Sequence, residues 1–532
     1  TLNAGASRTS TKSEKTGYRI ASVFGRVNYN YQMKYLLSLV ARYDGISRLK
    51  DNRWGFFPGV SVGWNVTEED FWKESKISEV ISNIKPRLSY GVNGNVNGIG
   101  NFDIYGIYKQ IGAGNYDGAT AYYNSSLINT GLRWEQSRSF EAGLDLGFFN
   151  NRLSFIFDYY NRTTDDLLTD VNLPAYTGFS SMKTNLGKLR NSGFEMEVRA
   201  NILSNAKGFN WEVSANLTSV SNKVLKLPTS DKPFNQIDGY EVAAGLYNPE
   251  TGETPTKWIG GYREGGKLGD MVGYVQNHIF RDWNDVKANA NMVIDEVANL
   301  YGPGMANEIN PQTGVTYAES NGWKPIEPGD VCWEDINKDG KINSLDRAVV
   351  GNIFPKVTGG FSTTLSYKNW SLYARFDYAL GHTIYNDLKA RSLGQYQGQF
   401  NIIDKVHDTW SETNPDTDLP VFTYADQLNK KNITRSNNGN TAVDNNSSRF
   451  YEKGDYLALR EITLSYSLPK KWIGKAGMQD ASVYVTGQNL FYITGYDGVS
   501  PEPAVSTVYG RGIDNGRYPT PRTLLFGLSV TF

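Results

Sequence analysis

The sequence predicts an all-β fold, a transmembrane antiparallel β-barrel with long extracellular loops. Three features lead to it. Apolar and polar residues alternate strictly through many segments. The apolar faces end in aromatic side chains while the opposite faces carry full charges. The connections between segments alternate between tight and long.

Alternation is the most direct of the three. Over 140–148, Phe140, Ala142, Leu144, Leu146 and Phe148 fall on one face, opposite Glu141, Gly143, Asp145 and Gly147. Over 153–159, Leu153, Phe155, Phe157 and Tyr159 share a face. Over 194–201, Phe194, Met196, Val198 and Ala200 oppose Glu195, Glu197, Arg199 and Asn201. The same period runs through 211–217, 370–378 and 462–468, and it places Leu524, Phe526, Leu528, Val530 and Phe532 on one side. A period of two over such lengths means a strand with one apolar face. A soluble sandwich with one wet face has the same alternation, so pattern alone leaves two architectures open.

Composition does not separate them. The mean hydropathy is −0.47 over 532 residues. No run of about 18 apolar residues occurs, which excludes membrane-spanning helices. An alternating barrel hides its apolar face from such averages, and 34 Tyr, 24 Phe and 12 Trp are enough to furnish aromatic rims. Lys plus Arg is 54 against 55 for Asp plus Glu, so no basic surplus points to nucleic acid as a partner. The single cysteine, Cys332, permits neither an intrachain disulfide nor a thiolate cluster. His278, His382 and His407 are far apart and form no HExxH pattern, so a histidine-built metal site is not expected.

Connection lengths favour the barrel. About thirteen strands are read near 20–31, 34–44, 56–66, 84–93, 136–149, 152–162, 187–201, 209–220, 354–367, 370–380, 455–468, 480–493 and 523–532. Gln32-Met33, Asn150-Asn151 and Lys368-Asn369 read as tight turns, 202–208 and 469–479 as short ones, and 67–83 as a short helix. Between them lie 45–55, 94–135, 163–186, 221–353, 381–454 and 494–522, all longer. Short periplasmic turns alternating with long outer loops mark outer-membrane barrels, and a sandwich has no reason to keep that order. With the tight turns periplasmic, strand 20–31 runs towards the periplasm and so does the last. An odd strand count leads us to expect further strands upstream. Thr1–Thr16 is polar and has no apolar core, so it is not a signal peptide.

Several stretches together resemble the SusC/RagA-like family of TonB-dependent outer-membrane transporters, typical of Bacteroidota. They are FGRVNYNYQMKYLLSLVARYDGISRL at 24–49 with NRWGFFPGVSVGWNVTEEDFW at 52–72, KPRLSYGVNGN at 85–95, RNSGFEMEV at 190–198, VTGQNLFYITGYDGVSPEP at 485–503 and YPTPRTLLFGLSVTF at 518–532. The resemblance spans nearly the whole chain in order. It implies a barrel of about 22 strands around an N-terminal plug, of which residues 1–532 would be the C-terminal barrel portion. It further implies uptake of large nutrients, usually glycans and sometimes peptides. The expected partners are a SusD-like surface lipoprotein, the TonB–ExbB–ExbD complex acting through the plug, and outer-membrane lipid. Plug, TonB box and first strands are missing from these residues, so transport is expected of a longer chain.

Two motifs read on their own terms within that frame. Gly59, Ser61 and Gly63 alternate against Val60, Val62, Trp64 and Val66, and small lumen-side residues leave room for a plug. Phe532 closes an alternating strand and resembles the terminal aromatic that outer-membrane assembly machinery reads as a folding signal.

One constellation suits a metal. DINKDGKINSLD, residues 335–346, has calcium-loop spacing: Asp335, Asn337 and Asp339 at positions one, three and five, Gly340 at the sharp turn, Lys341 offering its carbonyl, then Asn343 and Asp346. Asp346 stands where a bidentate Glu is usual, and no helix pair flanks the loop. An Asx-rich turn without an ion has a similar sequence. The expected cofactor is Ca²⁺, stiffening the long outer segment 221–353.

Enzyme sites fit less well, and no catalytic residue is expected. Glu195 and Glu197 point the same way at about 7 Å by strand rise, but a charged lumen wall needs such residues anyway. The Gly-rich stretches 98–102 and 260–270 lack the GxxxxGK[ST] order of a phosphate cradle. Tyr105, Tyr108, Tyr116, Tyr122, Tyr123, Tyr396 and Tyr424 lie in long loops, where they suit stacking on sugars, docking a partner or packing within the loop. A soluble glycan-binding β-protein and a passive porin are the rival readings. Detergent dependence separates the first from a barrel, and a plug separates the second from a transporter.

Overall fold

The computed structural model of the protein describes residues 16–106, 108–116, 119–124, 126–230, 232–394, 403–422, 430–435, 446–502, 512–516 and 518–532. Tyr396 and Tyr424 lie outside the described residues, and the side chain of Tyr116 is not described. No helix among the described residues is long and apolar enough to cross a membrane, which says nothing of crossing by strands.

Two compact units make up the chain. The first runs to Ala200 and adds Ser221–Gln236 and Arg263–Gly266; the second comprises Asn201–Val220, Ile237–Tyr262 and Lys267–Phe532. The first carries β1 (Ile20–Tyr31), β2 (Tyr35–Ile46), β3 (Trp54–Trp64), β4 (Ile81–Asn95), β5 (Glu135–Phe148), β6 (Leu153–Asn172) and most of β7 (Ser181–Ala206). Each pairs antiparallel with the next in chain order. The second carries most of β8 (Phe209–Lys226), then β9 (Val357–Tyr367), β10 (Trp370–Leu380), β11 (Tyr456–Ser467), β12 (Asp480–Thr494) and β13 (Thr523–Thr531). These too pair antiparallel in order.

Register preserves the alternation from strand to strand. Leu88 faces Ala142, Leu144 faces Phe157, and Phe157 faces Met196. One apolar face therefore runs across four strands. Phe140, Phe157 and Phe194 are each more than 40% exposed along it. Apolar area left in water costs roughly 25 cal/mol per Å², so a face of this extent needs a lipid environment. Cross-strand ring pairs such as Phe157–Phe194, centroids 5.8 Å apart, stiffen it.

Several turns need left-handed backbone, and the residues there supply it. Gln32 and Met33 have φ of 50° and 57°, and Asn150 and Asn151 have 58° and 59°. The turns span three residues, 32–34, and four, 149–152, and left-handed residues let such short hairpins close in step with the twist of the flanking strands. The expected helix near 67–83 is a single turn, α1 (Asp70–Lys73), between 3₁₀ turns at Val66–Glu68 and Lys76–Glu79.

The structure differs from the sequence reading at three places. The connector read at 163–186 is a continuation of the hairpin, since β6 runs to Asn172 and β7 begins at Ser181. Its alternation is hidden by Asp166, whose φ of 56° accompanies a register shift between Thr164 and Leu167. The loop 94–135 contains a further hairpin, Tyr108–Tyr116 with Ala119–Asn124. Val66 does not extend the apolar face of Val60, Val62 and Trp64. β3 ends at Trp64, and Val66 is buried in the following turn.

Long connections fold into packed bodies. In the first unit Ile46, Leu49, Phe57, Val96, Ile99, Leu132 and Trp134 form one apolar cluster at the long-loop end of the strands. Gly94 makes room for it, because a Cβ there would come within 2.1 Å of the Phe57 ring. In the second unit, segments between 267 and 450 build several clusters, among them one around Tyr385, Leu393 and Phe450 and another around Tyr274, Val331 and Trp333.

Candidate functional site

The face opposite the apolar rows carries the chemistry. In the first unit Arg87 on β4 is flanked by carboxylates from the next two strands. Its Nε donates to Asp145 at 3.0 Å and its Nη2 to Asp158 at 2.6 Å. Gly143 lies between them, and a Cβ there would meet the Arg87 guanidinium at 2.5 Å. Its missing side chain lets the guanidinium lie flat across the wall. The neighbouring Glu141 accepts from Ser139 and Ser89. Gly59, Ser61 and Gly63 lie on this same face, with Ser61 and Gly63 lining a cavity of about 450 Å³ beside Lys85, Arg87 and Glu141. Glu195 and Glu197 also face this side, and Glu197 pairs with Arg199 at 2.5 Å. Those two carboxylates are wall residues, not an acid–base pair.

In the second unit a bulge re-aims one arginine. β11 shifts register between Leu459 and Glu461, and Arg460 is the extra residue. It contacts Asp377 and Glu502, and its Nη1 donates to the Tyr492 hydroxyl at 3.0 Å. Its guanidinium stands 5.4 Å from the Tyr492 ring centroid, and the Tyr456 hydroxyl donates to Asp377 at 3.3 Å. Three charges and two tyrosines thus meet at the long-loop ends of β10, β11 and β12. The signal in the sequence was the break in alternation at Leu459-Arg460-Glu461.

Beyond the strand ends, buried ion pairs tie the loops together. Arg435 and Asp295 are essentially inaccessible, joined by two hydrogen bonds of 2.8 and 2.9 Å. The guanidinium also stacks over Trp333 and Tyr274, at 4.3 and 4.8 Å from the ring centroids. Lys430 donates to Asp330 and Glu327, and Asn432 donates to Asp330 at 2.7 Å. Burial pushes the Asp330 carboxyl up despite that lysine, while burial works to lower Lys430 and the two carboxylates override it. The short segment Lys430–Arg435 is in this way pinned into the 221–353 region from a distant part of the chain.

A further cluster joins α2 (Asp387–Gly394) to the segment after β12. Lys389 donates to Glu452 at 2.9 Å and to Asp497 at 2.8 Å, and Lys405 reaches Asp497 at 3.0 Å. Burial works to raise the Asp497 carboxyl, but Lys389 and Lys405 hold it well below the usual carboxylate range. Glu452 is pushed up, first by burial. A depressed carboxylate stabilises above its unfolded pKa, about 3.9, and that contribution is lost as pH falls towards the folded value. Glu452 acts in the opposite sense, its contribution being lost as pH rises. Asp497→Asn is therefore expected to remove an acid-sensitive step below about pH 4 in the proteolytic resistance of 381–455. Identical acid sensitivity in variant and parent would count against this ion cluster.

The 335–346 loop is a closed turn. Asp335 Oδ2 accepts from the Gly340 N–H at 2.8 Å, Asp339 Oδ1 from Lys341 at 2.7 Å, and Asn343 Oδ1 from Leu345 at 2.8 Å. Gly340 takes φ of 79°, the sharp turn expected of it. Asn337 is buried and donates to Thr254 at 2.9 Å. Asp346, fully buried, accepts from the N–H groups of Ile336 and Asn343. Burial, with Asp335 and Asp339 adding to it, pushes Asp346 up to about 7. Asp335, Asp339 and Asp346 have no Lys or Arg partner among the described residues; Lys341 pairs outward with Glu296 at 3.5 Å. The hard oxygen donors fit Ca²⁺ in kind, through a mixed set of carboxylate, amide and carbonyl oxygens. No grouping of three or more His, Cys, Asp or Glu side chains suited to a metal occurs among the described residues.

Other residues singled out from sequence fall apart in space or serve packing. Cys332 is half-buried, and burial pushes its thiol up to about 12, which disfavours the thiolate. His382 donates through Nε2 to the Pro501 carbonyl oxygen at 3.2 Å, His278 pairs with Asp285, and His407 is exposed. Tyr105, Tyr108, Tyr122 and Tyr123 are all exposed, the last three on the Tyr108–Asn124 hairpin. Phe532 directly follows β13 and is exposed.

Long antiparallel strands with an apolar outer row, a charged opposite face and folded loops at one end define a membrane β-barrel wall. Residues 1–274 match the family model described as TonB dependent receptor-like, beta-barrel. The chain belongs to this family of outer-membrane receptors, which are not enzymes. It is 31% identical to TonB-dependent receptor P3 of Formosa agariphila, over all of this chain and 47% of that protein. It is 30% identical to TonB-dependent receptor SusC of Bacteroides thetaiotaomicron, over 98% of this chain and 45% of that one. In fold it matches a structure of the RagAB peptide transporter with a TM-score of 0.72 at 23% identity, over all of this chain and 49% of that one. The chain spans about half the length of the curated relatives it matches.

Proposed function

We propose that the full-length protein is a SusC-type active importer of large nutrients, with oligosaccharides as the substrate class. It would work with a SusD-like lipoprotein over the long loops and draw energy from TonB–ExbB–ExbD through a plug held against the polar wall. Membership of the TonB-dependent receptor family carries the reading. The oligosaccharide assignment is supported by the exposed tyrosines of the 108–124 hairpin and by Tyr456 and Tyr492 beside Arg460. Flat rings and fixed hydrogen-bonding groups of both signs suit neutral polyhydroxylated chains. In this reading the residues of the chain bind, orient and line a path, and none performs chemistry.

Growth of a deletion strain on defined glycans and on peptides tests it. Loss of growth on a glycan, restored by the intact gene but not by one lacking its TonB box, is the expected outcome. Loss confined to peptides would overturn the substrate class. Retained growth without the TonB box would indicate a passive pore.

We also propose that 335–346 holds Ca²⁺ through Asp335, Asn337, Asp339, the Lys341 carbonyl, Asn343 and Asp346. The supporting observation is three carboxylates in one closed loop, none of them paired with a Lys or Arg among the described residues and one of them fully buried. Its role would be to rigidify the outer segment.

A further inference from the structure

Three neighbouring turns of the second unit carry an unusual fringe. The Lys207-Gly208 turn, the Lys368-Asn369 turn and the connection 468–479 adjoin one another. Lys368 donates its N–H to the Gly208 carbonyl, and Asn369 donates through Nδ2 to the Ser467 carbonyl. The last connection contains α3 (Lys470–Ile473), anchored by buried Ile473 and leaving Trp472 64% exposed. Together they present five exposed lysines: Lys207, Lys368, Lys470, Lys471 and Lys475. None pairs with a carboxylate among the described residues, and 466–479 contains no acidic residue.

An aromatic row lies directly beneath. Phe209, Tyr367, Trp370 and Tyr466 are successive cross-strand partners on the apolar face. Phe209 stacks on Tyr367 with centroids 4.1 Å apart, and Trp370 packs on Tyr466 at 4.7 Å. Such a row sits at the level of lipid carbonyls and headgroups. Lysines one turn further out then stand at phosphate depth, their stems along apolar surface and their ammonium groups outward.

We infer that this rim is a binding surface for anionic phospholipid of the periplasmic leaflet, with the five lysines engaging headgroup phosphates and the aromatic row fixing their depth. The inference rests on the orientation in which tight turns face the periplasm. Juxtamembrane lysine clusters attract anionic lipid in general. Here the charge is concentrated on adjacent, hydrogen-bonded turns and is not neutralised by partners.

Full-length protein in nanodiscs of phosphatidylethanolamine with a minor fraction of phosphatidylglycerol provides the test, reading retained lipid by native mass spectrometry. The parent should retain phosphatidylglycerol several-fold above its bulk share, and the five-lysine-to-glutamine variant should fall to the bulk ratio. Arginine at the same five positions should restore it. Heat-modifiable gel mobility establishes that the variant barrel is folded. If it is not, K470Q/K471Q alone should lower the ratio. Equal ratios for parent and glutamine variants, or displacement by inorganic phosphate at matched ionic strength, would overturn the surface. Labelling of K470C by an impermeant maleimide on intact cells would instead overturn the orientation.

Discussion

Arg435→Leu in the full-length protein is expected to open the folded loops while leaving the strands intact. The substitution strands Asp295 in a site where both partners are at most 2% exposed. Breaking a buried pair on one side costs about 3–5 kcal/mol because the remaining charge is left without compensation. Loss of stacking on Trp333 and Tyr274 adds to this. The measurement is local: hydrogen exchange or limited proteolysis of 267–353 should quicken by about a hundredfold or more, since 1.4 kcal/mol is tenfold in an equilibrium. Strand protection and heat-modifiable mobility should not change. The double replacement Arg435→Met with Asp295→Leu should recover most of the protection, because an apolar pair of similar volume has no unpaired charge. Unchanged exchange in Arg435→Leu would mean that Lys430 and the apolar clusters alone fasten the segment.

Removing divalent cations is expected to loosen a different part of the same region. Under the proposed binding, EDTA leaves Asp335, Asp339 and Asp346 without a counter-charge. Exchange should rise there and in Ile294–Asp295, which pairs with Lys341–Ile342. Ca²⁺ at about a hundredfold over its Kd would restore about 2.7 kcal/mol. Mg²⁺ should restore less, because it demands octahedral geometry and gives up water reluctantly. Asp346→Ala should abolish the Ca²⁺ response. Equal exchange in EDTA, Mg²⁺ and Ca²⁺ would reduce the loop to an Asx-rich turn held by its own backbone.

Legibility of the fold followed one physical property. Where a strand has lipid on one side and water on the other, each residue's polarity reports the side it faces. The rows through Phe140, Phe157 and Phe194 could therefore be read residue by residue. Where a strand rises beyond the membrane, both sides are wet and the report ends. That is why the alternation ends near 162 although β6 continues to Asn172, and why Asp166, with left-handed backbone, masks the register. The hairpin at 108–124 was lost in a loop for the same reason.

The site divided similarly. The 335–346 turn was legible because its donors are close in sequence, and the structure closes it through hydrogen bonds of those same side chains. Arg87 with Asp145 and Asp158 depends on register across three strands, and Arg460 with Asp377 and Glu502 on a bulge and a returning loop.

By itself the sequence determined the strand-built membrane wall, its inner and outer faces, the alternation of tight and long connections, and the family. These follow from local periodicity and from motifs contiguous in the chain. Only the tertiary structure decided which charges meet. It joined Asp295 to Arg435 across 140 residues and Asp330 to Lys430 across 100. It also gathered five lysines from three turns into one rim. Those pairings are set by chain folding over long separations, where residue type at one position carries no information about its partner at the other.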